Sequence, residues 1–348
     1  MGKRIMKGFG SDNHAGIHPR LMESMLEANR DHAPSYGSDS WTEQAIKEFS
    51  KVFGKQIPVF FVYNGTAANA LALRALVKPW QSILCSELSH LTMDECGAPE
   101  FLTGAKLRPL PCKNGKLSLS VLQESLIRGG DQHYSQPKAV SLTQPTELGT
   151  CYSDQEIKEI ADWAHANGLL VHIDGARIAN AVVHLKSDFK ALFTDTGVDV
   201  ISFGGTKNGL LMGEAIVFLK PELAEDFVFS RKQIGQLPSK TRFISAPFTT
   251  YLQSGLWKEI ATHTLELAQY LAEKVRDIPG VEITETVQSN AVFARIPQKW
   301  VKPLREKYFF YVWNEKTFEC RWMISFDTTK KEIDDFAQAL KDLSTKKF

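Results

Sequence analysis

The chain has no hydrophobic run long enough to cross a membrane. Among its 348 residues the longest apolar stretches, such as 57–62 and 215–219, have the length of buried strands, well short of the ~18 residues a bilayer span needs. It also lacks net charge. Lysine and arginine number 41 against 40 acidic residues, a formal charge of +1, which gives no electrostatic reason to expect nucleic acid or an anionic membrane as partner. Cysteine is sparse: Cys85, Cys96, Cys112, Cys151 and Cys320 are odd in number, widely spaced and without a C-x-x-C pair. That argues for reduced thiols and against a disulfide framework or a zinc knuckle, so no metal site is expected. Residues 1–10 are basic but carry no apolar segment of a secretory signal, and a cytoplasmic location is the default expectation. Several chemical motifs are missing too. No G-x-G-x-x-G follows a strand, none of the Gly-Lys pairs at 2, 54 and 115 is followed by Ser or Thr, and G-x-S-x-G and H-E-x-x-H are absent. These gaps lower nucleotide-binding, hydrolase and zinc-protease readings.

What is present is ordinary globular material, 43% hydrophobic and 23% charged, with the length of one large domain and a smaller one. Over the first two-thirds, short apolar runs alternate with helical patterns, the grammar of an α/β domain with a mostly parallel sheet. Residues 57–63 read as a strand and 67–77 as the helix that follows it. Strands are expected near 82–85 and 139–142, and a helix opens at Ser153 with Asp154 and Glu156 in its first turn and closes at Asn167-Gly168. Strands at 169–173 and 198–203 come next, the latter closed by Gly204-Gly205-Thr206-Lys207-Asn208-Gly209. From about residue 246 the pattern changes to one long helix over 252–275, strands near 281–284, 291–295 and 321–326, and a terminal helix from Thr329. The expected division is an N-terminal segment (1–20), a large α/β domain (21–246) and a small α+β domain (247–348), joined by a continuous helix or short loop.

Ligands of open parallel sheets bind beyond the carboxyl ends of the strands. Three features fall there in chain order. Asn64-Gly65-Thr66 joins a strand to a helix, where free amides and a glycine permitting close approach can converge on a phosphate. Asp174 ends the strand carrying Val171-His172-Ile173, and Lys207 follows the strand at 198–203 on a glycine-rich turn. Each alone has an ordinary structural explanation as a turn, cap or exposed lysine. Together, a phosphate cradle, a carboxylate at a buried strand end and a lysine further on are what a pyridoxal phosphate site requires: anchor, partner for the pyridinium nitrogen, and Schiff-base amine. His90, after the strand at 82–85, would lie over the ring face and relay a proton.

The motifs Ser11-Asp12-Asn13, Tyr36-Gly37-Ser38-Asp39, Asn64-Gly65-Thr66-Ala67-Ala68-Asn69, Ser89-His90, His172-Ile173-Asp174-Gly175-Ala176-Arg177 and Ser202-Phe203-Gly204-Gly205-Thr206-Lys207-Asn208-Gly209 resemble the threonine aldolase family. These are fold type I pyridoxal phosphate enzymes with an aminotransferase-like large domain. The stretches Asp94-Glu95-Cys96-Gly97-Ala98-Pro99-Glu100-Phe101 and Thr206-Lys207-Asn208-Gly209 are similar to the low-specificity and phenylserine aldolase branch. The resemblance implies that Gly65 and Thr66 bind the cofactor phosphate, His90 stacks on the ring, Asp174 partners its nitrogen and Lys207 bonds it. It implies Arg177 near both cofactor and substrate carboxylate, with Ser11 and Arg321 completing the carboxylate site, in keeping with the bidentate fit of arginine to carboxylate. Lys232 and Arg242 match basic positions that reach a neighbouring subunit's active site in homotetramers built as dimers of dimers.

The implied reaction is retro-aldol cleavage of L-threonine, L-allo-threonine and related β-hydroxy-α-amino acids, phenylserine among them, to glycine and an aldehyde. One departure from the family pattern concerns the base. Where many members have a histidine, this chain continues Thr143-Gln144-Pro145-Thr146-Glu147, leaving His90, a water or Glu147, if burial raises its pKa, to take the β-hydroxyl proton. The competing readings are a β-eliminating lyase on the same scaffold and a catalytically silent binding scaffold.

Overall fold

The computed structural model describes residues 8–346; the first seven residues of the expected N-terminal segment, and the last two of the chain, lie outside that range. Seven strands form the main sheet: β1 (Val59–Val62), β2 (Gln81–Ser86), β3 (Lys106–Leu110), β4 (Gln136–Thr143), β5 (Leu170–Gly175), β6 (Val200–Phe203) and β7 (Glu214–Phe218). Their order is β1-β7-β6-β5-β4-β2-β3. The five strands from β6 to β3 run parallel, while β7 is antiparallel to both of its neighbours. Every residue of β5 and β6 is buried. That follows from a parallel sheet covered on both faces, which needs continuous rather than alternating hydrophobicity.

The helix Gly65–Leu76 follows β1, capped by the Asn64 side chain, and Asp154–Ala166 leads into β5 behind a Ser153/Glu156 capping box. Both elements were expected within two residues of these bounds, whereas β3 carries no pattern that distinguishes it from a loop. At the carboxyl edge, Thr143, Asp174 and Ser202 sit side by side in register, so the ends of β4, β5 and β6 open onto one place.

The expected single helix over 252–275 is two helices, Arg242–Gln253 and Leu256–Val275, separated at Gly255, whose φ of +71° stops the first and caps the second. Ile244, Phe248, Tyr251, Leu252, Leu256 and Ile260 pack into the core shared with the main sheet, while Leu267, Leu271 and Val275 belong to a second core. That second core lies under a four-stranded antiparallel sheet of β8 (Glu282–Ile283), β9 (Ala291–Arg295), β10 (Tyr311–Asn314) and β11 (Glu319–Met323), in the order β10-β11-β9-β8. Helix Lys330–Thr345 closes it.

The start of the described chain belongs to this smaller unit. Phe9 is buried among Phe336 and Tyr308, donates its N–H to the Phe309 carbonyl (2.7 Å) and accepts from Met323 N–H (2.8 Å). Anchored there, the next residues cross to the end of β5. No helix among the described residues is long and apolar enough to cross a membrane.

Candidate active site

The turn after β6 carries Lys207. Gly204 makes this possible: a Cβ there would fall 2.2 Å from the Ala176 carbonyl oxygen, so only glycine lets the β6 turn press against the turn after β5. Lys207 then comes within electrostatic reach of Asp174, Asp12, Arg177 and Glu214. No hydrogen bond or ion pair engages its amine among the described residues, and burial, with the neighbouring Arg177 charge, pushes its pKa below the ordinary lysine value. A lysine with a depressed pKa and a free amine is poised to act as a nucleophile. Glu214, at the start of β7, accepts the Gly205 N–H at 2.6 Å and is pushed up to about 7 by burial.

Asp174 is buried at the tip of β5. Its Oδ1 accepts the Ala176 N–H (3.0 Å) and its Oδ2 accepts Asn69 Nδ2 (2.9 Å). Asn69 lies on the helix Gly65–Leu76, and its amide also donates to Glu95 Oε1 (2.9 Å). The same Glu95 oxygen is 2.8 Å from His90 Nδ1, while the His90 backbone N–H donates to Glu147 Oε1 (2.9 Å). The Glu95 bond raises the His90 pKa, and burial raises that of Glu95. Glu147 also accepts the Thr143 hydroxyl (2.8 Å) and is pushed up to about 7, chiefly by burial. Two residues before Asp174, His172 is wedged between the Ser141 and Ser202 hydroxyls and driven down to about 4 by burial; it is a neutral core group.

Opposite stand two arginines in different surroundings. Arg177 donates from Nε and Nη2 to Asp12 (2.6 and 2.9 Å), and Asn290 on the small unit adds a 3.1 Å bond to the same carboxylate. Burial pushes Asp12 upward, but the Arg177 charge and hydrogen bonds outweigh it and hold the carboxyl low. Arg321, on β11, lies over the Trp313 and Tyr311 rings (4.7 and 5.8 Å). It makes only a long bond to the Gly10 carbonyl (3.4 Å), which brings Ser11 beside it; no carboxylate pairs with it among the described residues. Burial pushes Arg321 down to about 10, with Arg177 adding repulsion. Ser11 Oγ accepts the Asn13 N–H (3.1 Å).

The structure therefore gathers Lys207, Asp174, His90, Arg177, Glu147, Arg321 and Ser11 around the carboxyl end of the main sheet. Gly65 and Thr66 open the neighbouring helix; their N–H groups have no partner among the described residues, and a Cβ on Gly65 would meet nothing within 4 Å. Lys232 and Arg242 do not join this cluster within one chain: Lys232 lies over Tyr36 (5.1 Å) and Arg242 donates to the Ala28 carbonyl (3.0 Å). Asp12, Asn69 and Glu95 stand in motifs that the sequence singled out, but spacing gave them no role; each is joined to its partner by a fold-made contact.

Five buried side-chain atoms without a partner also converge here: Asn69 Oδ1, Glu95 Oε2, Glu147 Oε2, Asn290 Oδ1 and Arg321 Nε. Native interiors rarely leave such atoms idle. An open helix N-terminus, a carboxylate at the strand end, a free amine and an uncompensated guanidinium fit the phosphate, ring nitrogen and aldehyde carbon of pyridoxal phosphate and the carboxylate of an amino acid.

Comparison with known proteins bears on the same site. Residues 8–297 match the family model of the beta-eliminating lyases. Two low-specificity L-threonine aldolases, from Pseudomonas sp. (strain NCIMB 10558) and Pseudomonas aeruginosa, are each 42% identical, over 94% and 96% of this chain and 95% and 96% of their own lengths. A solved threonine aldolase of Leishmania major superposes with a TM-score of 0.92 at 27% identity, covering 98% of this chain and all of that one.

Proposed function

This chain belongs to the threonine aldolase family within the beta-eliminating lyases, and from that premise we propose that it cleaves L-threonine, L-allo-threonine and related β-hydroxy-α-amino acids to glycine and an aldehyde with pyridoxal 5'-phosphate. The observation that carries the reading is Lys207: a free amine with a depressed pKa, buried within electrostatic reach of Asp174, with Arg321, which has no carboxylate partner among the described residues, near the same Arg177.

When bound, pyridoxal phosphate supplies a ring that accepts the electron pair released at the substrate α-carbon. Gly65 and Thr66 would hold its phosphate through backbone N–H groups, Asp174 would partner its ring nitrogen, His90 would stack on it, and Lys207 would bond it. Arg321 takes the substrate carboxylate, joined by Ser11 and by Nη1 of Arg177, the nitrogen left over from the Asp12 pair. His90 accepts the β-hydroxyl proton at Nε2. Glu147 is the weaker candidate despite its raised pKa, because one oxygen is engaged by Thr143 and the His90 N–H and the other is sealed from solvent.

Exposed apolar side chains, including Phe101 and Phe229 at 86% and 71% exposure and also Met93 and Leu211, support a homotetramer in which Lys232 and Arg242 reach a neighbouring subunit's cleft. The unpaired state of all five cysteines fits a reducing, cytoplasmic setting.

The test is a visible spectrum before and after borohydride reduction, mapping of the modified lysine, and product analysis on L-threonine. Reducible absorbance mapping to Lys207, with glycine and acetaldehyde as products, is expected. Ammonia with an oxo acid would move the chain to β-elimination, and failure to take up the cofactor would leave a binding scaffold.

A further inference from the structure

We propose that Glu95 is a positioning residue for His90: its carboxylate fixes the imidazole with Nδ1–H turned inward and Nε2 presented to the cleft, and Asn69 ties that carboxylate to Asp174. The proposal rests on the reading of His90 as the group that takes the substrate proton.

Three observations carry it. The Glu95 side chain is wholly enclosed, while that of His90 is 38% exposed, and the two meet at 2.8 Å through Nδ1. An enclosed carboxylate against Nδ1 requires a proton between them, so the imidazole's other nitrogen is the one left to exchange protons, and Nε2 has no partner among the described residues. Second, the buried Asn69 spends both amide hydrogens on carboxylates, Glu95 Oε1 and Asp174 Oδ2, at 2.9 Å each. Turning that amide over would set its oxygen against two carboxylates, so its orientation is dictated by them. Third, burying a carboxylate is costly without full compensation, and Glu95 Oε2 has none. A core position filled only for stability would favour an apolar side chain.

The charged groups facing His90 are Glu95 and Asp174, which strengthen its hold on a proton, and Lys207, which weakens it; Glu147 engages only its backbone N–H. Glu95 is thus the group in direct contact that makes this imidazole a stronger base than a free one. Through Asn69, the group facing the cofactor's ring nitrogen and the group accepting the substrate proton are held in one hydrogen-bonded unit.

Diethyl pyrocarbonate, which acylates neutral imidazole, tests this on the full-length chain with and without pyridoxal phosphate. His90 is the sole histidine between Arg74 and Lys106, so its modification is read from one tryptic peptide by mass spectrometry across a pH series. Glu95→Gln, which can still accept the Nδ1 hydrogen but carries no charge, is expected to lower the His90 midpoint by about 1 pH unit. The acid limb of kcat/KM for L-threonine should move by the same amount, and kcat should fall roughly 10- to 100-fold. Glu95→Asp, which keeps the charge but withdraws it by one methylene, should fall between the two. A midpoint and an acid limb that stay at wild-type values in Glu95→Gln, or in Glu95→Asp if the first variant does not fold, would overturn the proposal. The modification midpoint requires no turnover, so it separates failure of this pairing from failure of the aldolase reading.

Discussion

On the main-sheet side of the site nearly every charged group already has a partner, whereas on the side of the four-stranded sheet no carboxylate pairs with Arg321 among the described residues. Asp174, Asn69, Glu95 and His90 form a continuous hydrogen-bonded unit, and Arg177 is locked bidentately to Asp12. Arg321 instead lies on two aromatic rings with only a long contact to a backbone carbonyl. Both arginines are close to the same cleft, and both pay a desolvation penalty that an adjacent carboxylate can offset. Arg177 has that offset in the protein. Arg321 has no such partner among the described residues, and on the proposed reading the incoming carboxylate supplies the offset. On that reading the first wall is preorganised for proton and electron movement, and the second is completed by substrate.

Lys207→Ala strikes the first wall at its centre and should give the largest effect. Turnover should fall about 10⁴-fold or more, the scale seen when a covalent catalytic group is deleted, and borohydride should no longer fix the cofactor to the chain. Thermal stability should hold or rise slightly, since the deleted amine is a desolvated group with no bonding partner among the described residues. Retained turnover would dissolve the contrast between the walls by removing the chemistry from this one.

Arg321→Ala strikes the second wall. KM for amino acid substrates should rise by roughly 100-fold with a smaller fall in kcat, because the lost contact is made to the ground state as well as the transition state. Arg321→Lys should recover only part of the loss, since an ammonium neither matches a carboxylate bidentately nor stacks on Trp313 as a guanidinium does. The measurement is steady-state kinetics on L-threonine and on phenylserine. An unchanged KM for both would assign substrate recognition to Arg177 and so reverse the comparison.

The pattern of the sequence alone points to part of the first wall, whereas Arg321 and Ser11 of the second are named only by the family resemblance. Asp174 and Lys207 could be found because Asp174 lies at the end of one strand of continuous hydrophobicity and Lys207 on the glycine-marked turn after another. The Glu95 contact could not be found, although Glu95 stands only five positions after His90: the short helix His90–Met93 ends at Asp94, whose φ of −129° takes the chain off the helical path just before Glu95. The Asp12 pair joins residues 165 positions apart and depends on Phe9 docking into the small unit. The helix over 252–275 was misread because its apolar spacing runs through Gly255, and helical periodicity alone does not show where the chain stops for one glycine. Arg321 stands inside an ordinary alternating strand, β11, and only the pairing of β11 with β10 and the packing on Trp313 set it apart from other strand residues.

Glu147→Gln should have the smallest effect and sharpens the comparison within the first wall. The glutamine oxygen can accept from Thr143 and the His90 N–H as Oε1 does now, so kcat should fall by less than about tenfold; a loss of two orders of magnitude would transfer the base from His90 to Glu147. Stability carries a second signature. The Glu147 pKa is raised from its ordinary value near 4.5 to about 7 by burial. The folded state therefore holds a proton that the unfolded chain releases between those values. Stability from this group is complete below about pH 4.5 and is lost as pH rises through about 7. The glutamine variant has no such loss. Its melting temperature relative to wild type should be lower at pH 5, where an amide hydrogen replaces the proton-bearing oxygen without a partner, and should recover or exceed wild type at pH 8. A difference that does not change between those two pH values would mean that Glu147 ionises freely in the folded protein, and the first wall would then contain an open carboxylate in place of a sealed one.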